Sequence, residues 1–393
     1  MGRAAKPVLF TAILFAFFLL GLEGLVRATH LFGGRLSAAD PHPVLAYRFA
    51  PGAAYWKLEE NDHPVSGRYN AHGWRDRERT LEKPADTYRV AVLGDSQVEA
   101  ANIELDSTFC AIAERALNRS GPGRYEILNF GRSGFTQTEE LWLLENEVLH
   151  YSPDAVVVMF VPANDIADVR RETAPEHIRP FYVVGPDGGL ELDTSFRLTR
   201  SYRMKRLINP LKRRSVLVSL VLQRYNAYSN ARKKPPPMSG EDVDPEISGP
   251  LTLNTDHPDP RYEESFQHNR RLLGRIFQVC RDHGVAPALV SCNWFYRAPK
   301  LERLRGIDPS FDSLRQEGRL RALADSLEVP FIGLQEQFER HHADTGEALS
   351  WTHWNYAGQA FVAERLEELV RGMQADGLPR GGLESPRAVP GGS

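Results

Sequence analysis

Residues 88–96 read YRVAVLGDS, an apolar run closed by Gly94, Asp95 and Ser96, and this stretch decides the fold. Residues without polar alternation belong to a strand covered on both faces, and such strands occur in parallel sheets whose crossovers are helices. The pattern repeats outward from it. STFCAIAERALNR (107–119) has helical spacing, YEILNFGRSG (125–134) is again strand into turn, and TQTEELWLLENEVLHY (136–151) is helical. DAVVVMFVPAND (154–165) is the third strand. Further on come a helix at Arg261 to His283, the strand APALVSCNWF (286–295), a helix from Phe311 to Leu327, the strand PFIGL (330–334) and a last helix from Tyr356 to Met373. Right-handed crossovers between such strands predict a doubly wound, three-layer α/β/α sandwich with about five parallel strands, flavodoxin-like in outline.

Around this core the organisation is uneven. Val8 to Leu22 is uniformly apolar, follows Arg3 and Lys6, and extends to Val26 if Glu23 is tolerated near its end. That is about 28 Å of helix, close to the hydrocarbon thickness of a bilayer. Residues 1–28 are therefore expected to be a single membrane anchor, the competing reading being a signal peptide cut after Ala28. Residues 29–87 read as short strands and loops packing on the core, 88–373 as the main domain, and 374–393, rich in Gly and Pro, as a disordered tail.

Residues 166–260 form an insertion that the alternation does not need. FYVVGPDGGLEL (181–192) carries a hairpin signal, and PPPMSGEDVDPEISGP (235–250) reads as a mobile acidic linker. Between them, Arg197 to Lys234 hold 12 Lys and Arg and no acid, around VLVSLVLQRY (216–225). Taking those twelve positive charges from a net of −3 leaves −15 on the rest, so one basic element stands on an acidic chain. Its expected role is a solvated helix whose apolar residues Val216 to Leu222 cover the sheet. The functional alternative is contact with an anionic glycan or lipid.

In an open parallel sheet, ligands bind beyond the carboxyl ends of the strands. There the chain places Ser96, then Gly131 and Gly134, then Asn164, and finally His353 in SWTHWNYAG (350–358). Each has an ordinary explanation: Gly-Asp-Ser as a turn, the glycines as turn formers, Asn164-Asp165 as a cap, one histidine of twelve as structural. Their conjunction at successive strand ends supplies a nucleophile, a base and oxyanion donors, the parts of an acyl-transfer site. The charge balance gives no support to nucleic-acid binding. Cys110, Cys280 and Cys292 are too few for a disulfide framework and lack zinc-site spacing, and His341, His342 and Asp344 make only a weak metal cluster. No cofactor or metal is expected.

VLGDSQVEA (92–100), NFGRSGFT (129–136), Asn164-Asp165 and His353 together resemble the SGNH hydrolase superfamily, the GDSL esterases. The lead-in RYNAHGWRDRERTLEKPADTYRVAVLGDS (68–96) resembles that of exported bacterial members. The resemblance implies Ser96 as nucleophile, His353 as base, and an oxyanion hole of Ser96, Gly134 and Asn164, with Gly131 as alternative to Gly134. Two blocks depart from it. The third, usually Gly-x-Asn-Asp, reads Pro162-Ala163-Asn164-Asp165, so Pro162 replaces the glycine, and in the fourth Ser350 and Trp351 stand three and two residues before His353, where the family has its aspartate. Three explanations are open: a dyad with the imidazole oriented by Ser350 or a carbonyl, an acid recruited from Asp344 or Glu347, or a site that only binds.

The resemblance thus implies an extracytoplasmic serine hydrolase removing short acyl groups from a carbohydrate or cell-envelope substrate. An O-acyltransferase fed by a membrane-bound acyl donor, or a non-catalytic glycan-binding protein, are the alternatives. An anchor facing the periplasm from the inner membrane is the expected location.

Overall fold

The computed structural model describes residues 5–29, 39–57, 60, 63–120, 123–232, 251–292 and 298–375. The expected acidic linker and tail lie outside them, apart from the start of the tail, which continues the last helix. In chain order the elements are α1 (Ala5–Thr29), β1 (Ala39–His42), β2 (Ala46–Phe49), β3 (Ala54–Lys57), β4 (Val65–Arg68), β5 (Thr87–Gly94), α2 (Ser96–Glu99) and α3 (Phe109–Ser120). Next come β6 (Arg124–Gly131), α4 (Gln137–Asn146), β7 (Ala155–Phe160), α5 (Pro162–Asp168), β8 (Phe181–Val184), β9 (Leu190–Asp193), α6 (Arg200–Arg214) and α7 (Val216–Arg232). The chain ends with α8 (Pro260–Asp282), β10 (Ala286–Ser291), α9 (Ala298–Ile307), α10 (Arg315–Ser326), β11 (Phe331–Gly333), α11 (Gln335–Thr345) and α12 (Tyr356–Ala375). They group into two compact units, residues 76–176 with 244–393, and residues 1–75 with 177–243.

The unit containing residues 76–176 and 244–393 is built on a five-stranded parallel sheet in the order β11-β10-β7-β5-β6. Successive residues of a strand point to opposite faces. Val90, Val92, Ile127, Val157 and Met159 accordingly join a core with Phe109, Ala113 and Leu117 of α3 and Val362, Leu366 and Val370 of α12. The alternate residues Ala91, Leu93, Leu128, Val156 and Val158 are equally buried, as are Leu141 and Leu144 of α4 and Leu272, Ile276 and Phe277 of α8. This is the doubly wound sandwich that the uninterrupted apolar strands predict. Each large aliphatic side chain so buried contributes on the order of 1.5–3 kcal/mol.

Two arginines inside this unit are paired with buried acids. Arg89, on β5, is fully buried and donates to Glu126 Oε2 at 2.6 and 2.9 Å, and to the carbonyls of Tyr151 at 2.7 Å and Leu81 at 3.2 Å. It lies near the amino end of the sheet and ties the first two strands to the segments entering them. Asp76 accepts from Arg79, which also reaches Glu114, so the lead-in before β5 is held by charge.

The unit containing residues 1–75 and 177–243 carries α1, the antiparallel pairs β1/β2, β3/β4 and β8/β9, and helices α6 and α7. The β8/β9 hairpin pairs Phe181 with Asp193, and Gly188 at its turn has φ +84°, as the Gly-Asp signal predicts. Stretch 7–29 is long and apolar enough to cross a membrane, and Phe10, Phe15 and Phe17 are exposed along it. The apolar start of α7 packs on α1, where Val26, Val216 and Ser219 are buried. Glu23 of α1 caps this second helix, accepting from Ser215 Oγ at 2.7 Å and from the amides of Val216 and Leu217 at 2.9 Å.

Arg89→Ala leaves the buried Glu126 with only the exposed Arg124 guanidinium, 3.2 Å from its other oxygen, which costs up to about 3–5 kcal/mol. A large fall in melting temperature is expected, with the Ser96 and His353 geometry of the surviving folded fraction unchanged. Thermal melts measure it.

Candidate active site

The strand order puts β6 on one side of β5 and all later strands on the other, so the direction of winding reverses between β5 and β7. A crevice opens at such a reversal, beyond the carboxyl ends of the strands. Ser96 follows β5 and Asn164 follows β7, on the two walls of that crevice. Asn164 Nδ2 donates to Asp95 Oδ2 at 2.6 Å, a bond that crosses it.

Ser96 opens the short helix α2. Asp95 caps it by accepting the Gln97 amide at 2.9 Å, and Ala100 ends it in the left-handed region at φ 48°. Two glycines allow this turn to lie on the strand ends. A Cβ on Gly94 would stand 2.4 Å from Val98 Cγ2, and one on Gly131 would stand 2.4 Å from the Glu99 nitrogen. Gly131 thus serves close packing, and its amide is already donated to Asn129 Oδ1 at 2.8 Å. Gly134 sits in the exposed turn beyond β6 with φ +80°. Among the described residues, neither the Ser96 nor the Gly134 amide finds an acceptor.

His353 comes from a loop 257 residues away, and its Nε2 lies 2.8 Å from Ser96 Oγ. The loop is held tightly. Trp354 is fully buried with its ring edge-on to Phe109, its amide donates to Gln97 Oε1 at 3.3 Å, and its carbonyl accepts from Asn102 at 3.4 Å. Ser350 is buried and bridges Trp354, and the Trp351 amide donates to the His353 carbonyl at 2.9 Å. The two carboxylates weighed as substitute acids lie elsewhere. Glu347 engages His341 Nε2 at 3.0 Å, and Asp344 is exposed in the last turn of α11.

Several residues of the arrangement carry no signal in the sequence pattern. Glu99 is buried and accepts both the amide, at 2.8 Å, and the hydroxyl, at 2.6 Å, of Ser133, bracing the turn that presents Gly134. Asn129 joins β6 to α2 by donating to the Val98 carbonyl at 2.7 Å. Gln97 supports the histidine loop. All three lie within the motif blocks, so proximity to Ser96 and Gly134 was the available clue.

Beneath the site lies a cluster of buried acids. Burial raises the carboxyl of Asp95, while the Gln97 amide, the Asn164 amide and the charge of His353 oppose that shift. Glu140 is pushed well above the ordinary glutamate range, first by burial and then by Asp165, Asp95 and Glu139. Asp165 is raised by burial and by Asp95, against the Val161 amide that its Oδ2 accepts at 2.7 Å. Of these acids, Asp95 accepts two N–H donors, the Gln97 amide and Asn164 Nδ2. The three cysteines are buried and form no disulfide; burial pushes the Cys280 thiol up to about 12 and raises Cys292 as well. Among the described residues no group of three His, Cys, Asp or Glu is arranged to hold a metal.

No protein-family model and no curated protein matches the sequence. Among solved structures, the acetyl xylan esterase AlAXEase is similar at 13% identity with a TM-score of 0.37, over 72% of this chain and 99% of that one. The lipase/acylhydrolase from Enterococcus faecalis is similar at 12% identity and a TM-score of 0.37, over 72% and 96%. The acetylxylan esterase Axe2 from Geobacillus stearothermophilus is similar at 13% identity and a TM-score of 0.38, over 72% and 93%.

A glutamate whose pKa is raised on folding binds a proton that the unfolded chain releases. Its contribution to stability is complete below the ordinary value of 4.5 and is lost as pH rises toward the folded value. Stability should therefore decline above pH 4.5, with a slope of up to about 1.4 kcal/mol per pH unit for one such proton. Glu140→Gln is expected to flatten the decline, gaining on the wild type at pH 8 relative to pH 5. Melting temperatures across that range decide it.

Proposed function

We propose that this protein is a serine ester hydrolase of the SGNH type, held at the inner membrane by α1. It faces the extracytoplasmic side and removes short acyl groups from a carbohydrate or cell-envelope substrate. The observation that carries the reading is the 2.8 Å contact between Ser96 Oγ and His353 Nε2. That contact stands beside two unengaged backbone amides and an oriented carboxamide.

In this mechanism His353 Nε2 takes the Ser96 proton as the hydroxyl attacks the ester carbonyl. The oxyanion meets the Ser96 and Gly134 amides and Asn164 Nδ2. Asn164 has two N–H bonds on that nitrogen. One is donated to Asp95, which fixes the orientation of the amide, and the other is left for the substrate oxygen. His353 then protonates the departing alkoxide, and water, activated by the same imidazole, releases the acyl group.

The acid that normally orients the histidine is replaced in two parts. The backbone bonds around Ser350, Trp351 and Trp354 hold the loop, and the buried charge of Asp95 attracts the imidazolium. Removing the acid from a triad can cost on the order of 10⁴ in rate, about 5 kcal/mol. A dyad supported in this way is expected to run below a full triad. Ser133, Gly134 and Thr352 are exposed at the rim, which suits an ester carried on a large, externally presented substrate.

Ser96→Ala and His353→Ala should each lower p-nitrophenyl acetate turnover by at least about 10³-fold, and Ser96→Ala should abolish labelling by a fluorophosphonate probe. Asn164→Ala should lose on the order of 10²–10³ in kcat while keeping the label. Turnover unchanged in Ser96→Ala would overturn the assignment.

A further inference from the structure

The unit containing α1 bears a surface that the proposed esterase chemistry does not use. One face of α6 presents Arg200, Arg203, Met204, Leu207, Leu211 and Arg214, spaced so that a helix brings them onto a single stripe. Met204 is 56%, Leu207 70% and Leu211 56% exposed. The opposite side of the helix is engaged within the unit. Tyr202 is buried edge-on to Phe196 and donates its hydroxyl to the His42 carbonyl, while Arg213 pairs with Asp40 at 3.1 Å. From Arg197 to Lys234 the sequence has no acid to neutralise this face.

The junction between α6 and α7 is pinned to one height on α1. Glu23 takes three bonds from Ser215, Val216 and Leu217, and Arg27 Nη2 donates to the Arg214 carbonyl at 2.6 Å. Glu23 and Arg27 are the first charged residues after the apolar run Val8 to Leu22. A helix inserted as far as that run puts them where hydrocarbon gives way to headgroups, and the four bonds bring the basic last turn of α6, Lys212 to Arg214, to the same level. Exposed leucine and methionine flanked by arginine is the pattern of a helix lying in a membrane interface, its apolar side chains at the acyl boundary and its cations on lipid phosphates. Tyr225 and Tyr228 of α7 are also exposed, and tyrosine favours that layer.

We infer that α6 is an interfacial helix that rests, through Arg200, Arg203, Met204, Leu207 and Leu211, on the anionic lipid surface of the membrane that α1 enters. The inference depends on α1 lying in a bilayer, as proposed above. It adds a second attachment beside the anchor, one that senses headgroup charge.

The test uses the full chain in phosphatidylcholine nanodiscs, with and without phosphatidylglycerol. Single cysteines are introduced by Leu19→Cys or Leu207→Cys and labelled with a bimane fluorophore; the native thiols are buried. Brominated lipid should quench the label at position 19 in both discs. It should quench the label at 207 in the anionic discs, where iodide quenching at 207 should fall relative to detergent. Reversing Arg200 and Arg203 to Glu should weaken headgroup attraction by at least about fivefold per arginine and return position 207 toward its behaviour in zwitterionic discs, with position 19 unaffected. No lipid quenching at 19 refutes the membrane reading of α1. Quenching at 19 with full iodide access at 207 refutes the interfacial helix alone. Protection at 207 that appears in detergent and grows with protein concentration assigns the face to a second copy and also overturns the inference.

Discussion

The architecture of the strand-end edge that carries Ser96 and Asn164 hangs on one buried carboxyl. Asp95 sits between the ends of β5 and β7, caps the helix that begins at Ser96, and accepts the Asn164 amide across the crevice. A buried charge is tolerated only when it is hydrogen-bonded and compensated. The partners that satisfy Asp95 are the backbone just after Ser96 and the Asn164 amide, two of the groups that the proposed esterase has to orient. Stabilising the fold and arranging the chemistry are here the same set of contacts. The neighbouring carboxyls of Glu140 and Asp165 are raised first by burial, and the nearness of Asp95 adds to both shifts.

Close packing supplies the second constraint. Gly94 and Gly131 are opposite one another in the β5–β6 register, and α2 rests on both. The absence of side chains there brings the Ser96 turn down onto the sheet, and Asn129 and Glu99 fasten it to the turn carrying Gly134. The positive φ of Gly134 belongs to a different task, presenting an amide outward. Two glycines three residues apart, alike in the sequence, thus do unlike work.

In the unit of residues 1–75 and 177–243 the organising contact is again a glutamate taking up backbone amides. Glu23 interrupts an apolar helix, which reads as a blemish in a membrane span until its partners are known. It satisfies the first amides of α7, groups that would otherwise be left without acceptors at a helix start. Val216 to Leu222, expected to cover a sheet, instead begins a helix whose buried Val216 and Ser219 pack on α1.

The sequence by itself determined the parallel sandwich, because strands buried on both faces must be apolar throughout, and that pattern needs no knowledge of neighbours. It also determined the candidates Ser96, Gly134, Asn164 and His353, because each occupies a strand end or the last loop, where topology dictates convergence. Only the tertiary structure decided which glycine has an amide to offer. It also decided where the substitute acids Glu347 and Asp344 point, and what Glu23 and Glu99 hold. Glu99 and Glu23 meet partners 34 and 192 or more residues away, and even the near pairs, Gly131 with Asn129 and Glu347 with His341, depend on side-chain directions that packing sets rather than local pattern.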